Sequence, residues 1–226
     1  MLRDWSENEG ISVRGVTFVH RSPGTEDGGH GPAGGLQHGV FAIAITLLVL
    51  ELSIEPSGPA LDRVLDGWPS YLAYIVSFLT IGAAWLAHAG VTHRLIRADA
   101  ILFRLNLLLL LFVSFLPFPT RLVAEGLENA SDERVFVTMY GLTLLLIRIL
   151  LFALDKYSYR ERLYTEEVSQ KKDSVRRTML PVVTAYTLAI LIGLILPGVA
   201  VGLYCLVAIY LVIPFKELAS LMFHRS

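Results

Sequence analysis

The chain has 226 residues, 54% of them hydrophobic and only 17% charged, with a mean hydropathy of +0.58; an ordinary soluble domain carries about 25% charged residues. The formal charge of −1 lacks the basic excess of a nucleic-acid binder, and the single cysteine, Cys205, excludes an intrachain disulfide or a cysteine metal cluster. That much apolar sequence suffices for roughly six bilayer spans of about 20 residues each, so the expected class is an all-α polytopic membrane protein.

Residues 1–35 are rich in Gly, Ser, Glu, Arg and His and close on Gly28-Gly-His-Gly-Pro-Ala-Gly-Gly35. Such a composition buries too little surface to fold, and the segment reads as a disordered cytoplasmic tail. It lacks the apolar core of a cleavable signal peptide, so the first helix is expected to serve as the insertion signal. Apolar runs follow at about 37–54, 69–91, 100–118, 135–155, 179–196 and 199–215, each near the length of a bilayer span. Together they predict a six-helix channel domain over 36–218, with 219–226 as a cytoplasmic C-terminal tail. The breaks at Glu55–Pro59, His93–Asp99, Pro117–Arg134, Lys156–Arg177 and Pro197-Gly198 read as turns or wet loops.

Of the 19 lysines and arginines, Arg63, Arg121 and Arg134 fall in one set of alternate loops, and Arg104 and Arg148 fall inside apolar runs; the rest lie in the two tails and the other loops. The positive-inside rule then places both termini in the cytoplasm, which agrees with an even number of spans. Arg104 and Arg148 lie one to two turns from the expected cytoplasmic helix ends, close enough for their heads to snorkel outward. His88 and Asn106, near the same boundary, read as polar glue between helices.

Enzyme motifs are missing. Gly29-x-Gly31-x-x-Gly34 contains Pro32 and follows no strand, and His88 and His93 are about 140° off a shared helix face. No cofactor, metal or small-molecule substrate is expected. Asn129-Ala-Ser131 is a glycosylation sequon on the outer side. Val201-Gly-Leu-Tyr204 lies in a plain apolar helix without a re-entrant loop, and Gly198 and Gly202 are expected to let two helices approach.

The first apolar run is the most informative. In Gly39-Val-Phe-Ala-Ile-Ala-Ile-Thr-Leu-Leu-Val-Leu-Glu51, helical spacing puts Ile43, Thr46 or Leu47, Leu50 and Ile54 on one stripe. Four copies around an axis would stack these as apolar rings, and a narrow apolar ring gates ions by excluding water. Thr46 would add a ring of oxygens, and Glu51 and Glu55 would lie at the outer mouth, where carboxylates concentrate cations.

These residues, with Trp85-Leu-Ala-His88 and Leu105-Asn-Leu-Leu-Leu-Leu-Leu-Phe-Val-Ser-Phe-Leu-Pro-Phe-Pro-Thr120, resemble the bacterial, single-repeat members of the transmembrane protein 175 potassium channels. The resemblance covers roughly residues 38–218. It implies a homotetramer of six-helix subunits in the bacterial inner membrane, whose first helices line a potassium-permeable pore without a carbonyl filter loop. By position, Ile43 is similar to the family's apolar constriction, Thr46 to the threonine layer associated with potassium preference, and Leu50 to a further pore-facing layer. The family hallmark Arg-x-x-x-Phe-Ser-Asp is replaced here by Pro32 and Leu36-Gln37-His38. In the family the hallmark packs against polar groups similar to Trp85, His88 and Asn106, so His38 is expected to join those three in an interhelical network. The alternatives to a leak-like channel are a secondary transporter, which would normally show broken helices and midplane ionisable groups, and a non-conducting degenerate relative.

Overall fold

The computed structural model describes residues 11–13, 16–18, 32–52, 59–128, 132–164 and 173–213. Ile54, Glu55, the sequon at 129–131 and the C-terminal tail lie outside them. Two three-residue strands, β1 (Ile11–Val13) and β2 (Val16–Phe18), pair antiparallel within the segment expected to be disordered. Among the described residues eight α-helices follow: α1 (Pro32–Leu47), α2 (Ala60–Asp66), α3 (Trp68–Thr92), α4 (Ala100–Phe115), α5 (Pro117–Glu128), α6 (Glu133–Arg160), α7 (Asp173–Gly193) and α8 (Pro197–Val212). The last turn of the α1 run, Leu48–Glu51, tightens to 3-10 geometry.

Local chemistry sets the ends. Asp99 caps α4 by accepting from the Leu102 N–H at 2.8 Å, and prolines open α1, α5 and α8, where a first-turn residue has no N–H bond to lose. Among the described residues three helical stretches are long and apolar enough to cross a membrane, Trp68–Thr92, Ala100–Leu127 and Glu133–Arg160; Gly35–Glu51, Leu180–Gly193 and Pro197–Val212 are shorter apolar helices.

Two expected loops prove to be partly helical. Pro117 and Pro119 read as helix breakers, yet α5 restarts directly after Leu116 and packs on α3 and α6. A proline in the first turn starts a helix as readily as it ends one, and the Thr120 hydroxyl donates to the Leu116 carbonyl at 2.8 Å. Likewise α6 runs through the expected loop start at Lys156 to Arg160. Close helix approach also occurs elsewhere than expected. Gly202 has nothing within 4 Å of where a Cβ would stand, whereas a Cβ on Gly141 would meet the Tyr204 hydroxyl and come within 2.8 Å of Ile190 Cγ1.

At the centre, four polar groups form a directed chain. The Leu116 carbonyl can only accept, so Thr120 donates to it; Ser77, 2.7 Å from Thr120, must then donate to Thr120, and Tyr140, 2.8 Å from Ser77, must donate to Ser77. One unbroken run of protons thus ties α6 to α3 to α5. Around it the rings of Tyr140, Tyr204 and Tyr186 follow one another at centroid separations of 5.8 and 6.2 Å, joining α8 and α7 to the same core.

A second, smaller core pins the α3–α4 corner to the end of α6. Val91, Leu102, Leu154, Leu163 and Tyr164 pack together, Leu95 and Tyr164 form an antiparallel bridge, and the Ile96 N–H donates to the Leu163 carbonyl at 2.9 Å. Arg162, at φ 53°, turns the chain back to make this possible. Two phenols reinforce the corner: Tyr157 donates to Asp99 and Tyr164 to Asp155, each at 2.6 Å. The Tyr157 and Leu102 bonds hold the Asp99 carboxyl below its usual range, while burial, aided by the Asp155 bond, pushes the Tyr164 phenol up.

Ser77→Ala strands the Tyr140 hydroxyl without an acceptor, whereas Tyr140→Phe leaves Ser77 still donating to Thr120. The first is therefore expected to cost about 1–3 kcal/mol and the second less, read as unfolding midpoints of the purified protein. Because the folded carboxyl of Asp99 titrates below its unfolded value, its contribution is complete above the unfolded value, about pH 4, and is lost as pH falls through the folded one. Asp99→Asn should flatten the acid limb of the stability profile while leaving its neutral and alkaline limbs parallel to wild type.

Candidate functional site: the free face of the first helix

Helix α1 is gripped from one side. It packs on α3 and α4, and its 3-10 end meets α3 and α5. Phe41, Ala44 and Leu48 are buried in the main core, a spacing of three and four that puts them on one face. The opposite face is left open: Ile43 is 59% exposed, Leu47 38% and Leu50 73%, with Thr46 also exposed. Leu36, 59% exposed and seven residues before Ile43, continues that face toward the start of the helix. The Thr46 hydroxyl donates to the Ile43 carbonyl at 2.9 Å, so its proton is used within the helix and its lone pairs face outward. Glu51 is half-buried at the far end.

The polar residues behind α1 come together. His88 and Asn106, both buried, join α3 to α4 through a 2.7 Å bond between Nε2 and Oδ1, which places the ring proton on Nε2. Phe41 lies on the His88 ring with centroids 5.5 Å apart, and His38 meets the Trp85 ring edge-on at 6.4 Å. His38, Trp85, His88 and Asn106 thus flank the N-terminal half of α1, with Phe41 between the two pairs. His93 is exposed at the end of α3, away from His88.

Phe41, Ala44 and Leu48 are the residues that sequence reasoning passed over here. Their signal was available as the complement of the Ile43–Leu50 stripe, since a helix held at a bundle's edge needs a second apolar face for anchoring.

The two intramembrane arginines part company. Arg104 is exposed in the second turn of α4, but Arg148 does not snorkel: it is 1% exposed and lies well inside the bundle. The expectation failed because α6 continues to Arg160, twelve residues beyond Arg148. At 1.5 Å per residue that is about 18 Å, more than an arginine side chain can span.

Apolar helices long enough to span a bilayer, wrapped around an internal polar seam, make this an integral membrane protein. A family model described as endosomal/lysosomal potassium channel TMEM175 matches residues 34–117. A potassium channel of Chamaesiphon minutus is 35% identical over 180 residues, covering 76% of this chain and 88% of its own. A potassium channel of Streptomyces collinus is 42% identical over 119 residues, 51% of this chain and 58% of that one. The crystal structure of the Chamaesiphon minutus homologue of the lysosomal potassium-selective channel TMEM175 superposes with a TM-score of 0.70 at 33% identity, covering 78% of this chain and 93% of that chain. The chain belongs to the TMEM175 family.

His88→Leu strands Asn106 in an apolar environment and should lower stability by about 1–3 kcal/mol. Adding Asn106→Leu removes the orphaned group and should recover most of the loss. A double-mutant cycle on unfolding midpoints checks this, and strict additivity would show that the two side chains do not act as a pair.

Proposed function

We propose that the chain is one subunit of a potassium-permeable, leak-like cation channel in which four copies turn the free face of α1 toward a common axis. The observation that carries this reading is the division of α1 into an anchored face, Phe41–Ala44–Leu48, and an exposed apolar face, Ile43–Leu47–Leu50. The relatives named potassium channels support it. In this reading each subunit spans the membrane six times with both termini in the cytoplasm, and the homotetramer resides in the bacterial inner membrane.

The mechanism follows from the stripe. Rings of Ile43, Leu47 and Leu50 narrow the path and disfavour water, so the width of the Ile43 ring controls conduction. Thr46 supplies oxygens whose protons are already committed to the helix backbone, leaving lone pairs for a partly dehydrated cation. Glu51 and Glu55 stand at the outer mouth and raise the local cation concentration. No carbonyl filter loop and no cofactor take part; potassium is the permeant ion. The α1 run from Gly35 to Glu51 is about 25 Å long, close to the thickness of a hydrocarbon core.

Purified protein in potassium-loaded liposomes should release potassium well above sodium-loaded and empty controls. Ile43→Asn, which places a hydrated amide in the narrowest ring, should raise cation leak several-fold. No flux from a folded tetramer would overturn the reading, and a strictly monomeric crosslinking pattern would remove the shared axis. Unchanged flux in Ile43→Asn would take Ile43 out of the constriction.

A further inference from the structure

Arg148 stands in a part of the subunit that the pore reading does not use. It sits mid-way along α6, 1% exposed, with both Nε and Nη2 buried and without a hydrogen-bond acceptor. The Thr80 hydroxyl of α3 and the Tyr186 hydroxyl of α7 are likewise buried and unpartnered. The Tyr186 hydroxyl lies beside Arg148 on one side and Thr80 on the other and interacts with both, but neither contact closes to good hydrogen-bond geometry. Three helices thus bring hydrogen-bond donors to one place.

Among the described residues no carboxylate balances the Arg148 charge, and the Tyr186 phenol beside it is neutral. A guanidinium in a protein keeps its proton and has no acceptor atom. Among the described residues the ion pairs are Arg121–Glu125 and Arg160–Glu161, both at the surface, and no carboxylate reaches Arg148. Buried charges are otherwise paired, and in a bilayer interior an uncompensated one is especially costly. Water would satisfy the N–H groups but would leave the charge in place.

We propose that Arg148, Thr80 and Tyr186 form an intrasubunit site for a small monovalent anion of halide size. The anion accepts from Nε and Nη2 of Arg148 and from the two hydroxyls, and it neutralises the charge between α3, α6 and α7. It is a structural ion, separate from the cation path along α1.

The test uses the intact purified protein. Thermal unfolding is followed in potassium chloride, potassium bromide and potassium gluconate at constant ionic strength, and crystals grown in bromide are examined for anomalous scattering. Wild type should be more stable in either halide than in gluconate, with Tm rising by about 3–5 °C for each tenfold increase in halide above its dissociation constant. A bromide peak should lie between Arg148, Thr80 and Tyr186. Arg148→Met, which keeps much of the volume but loses the charge, should have the same Tm in all three salts. Thr80→Val, which removes one donor, should bind halide several-fold more weakly and decides the matter if Arg148→Met does not fold. Equal wild-type stability in all three salts, or halide dependence undiminished in the variants, would overturn the site. So would ordered water without bromide at that position. None of these readouts depends on ion flux, so the anion site and the channel reading stand or fall separately.

Discussion

Lipid tails solvate a leucine as well as a neighbouring helix does, so the cohesion of this subunit rests on the directed hydrogen-bond run from Tyr140 through Ser77 and Thr120 to the Leu116 carbonyl. Ser77 and Thr120 each donate and accept, and the Tyr140 hydroxyl at the head of the run donates, so every hydroxyl proton in it is bonded in a region where water is scarce. The run also anchors the α4–α5 junction: Thr120 donates both its backbone N–H and its hydroxyl to the Leu116 carbonyl just before the proline pair. With Tyr204 seated on Gly141, the seam holds α3, α5, α6 and α8 in one register.

That register positions α1. Helix α3 presents His88 to Phe41 and, through the His88–Asn106 bond, fixes α4 as the second wall. The first helix is then anchored by three side chains on one face and left uncovered on the other. An exposed stripe of Ile43, Leu47 and Leu50 costs nothing in lipid, and it is the face that the proposed assembly would turn toward its axis. Anchoring from behind and freedom in front are two results of one packing arrangement.

At the opposite side of α4, the corner built from Asp99, Tyr157, Asp155 and Tyr164 uses charge-assisted bonds of 2.6 Å. It sits where α4 begins, so it sets the starting point of the helix against which α1 leans. The core therefore has a neutral polar interior suited to lipid surroundings and an ionised clasp suited to water, and Arg148 departs from that division by carrying a charge inside.

The sequence by itself determined the elements with a repeating apolar pattern and the faces they carry: the stripe on α1, the apolar spans, and the polar residues His88 and Asn106 that meet across a helix interface. Such features follow from a 3.6-residue period and from the cost of polar groups in lipid, both of which are local or compositional. The tertiary structure decided the remainder. Pro117 and Pro119 are compatible with ending a helix or beginning one, and only packing of α5 on α3 and α6 selects the second. The depth of Arg148 depends on how far α6 continues past Asp155 and Lys156, which the second core around Leu154, Leu163 and Tyr164 stabilises. The pairing of Gly141 with Tyr204 joins residues 63 positions apart, and the choice of which glycine admits a neighbour depends on the rotation of both helices, a quantity no short window of sequence contains.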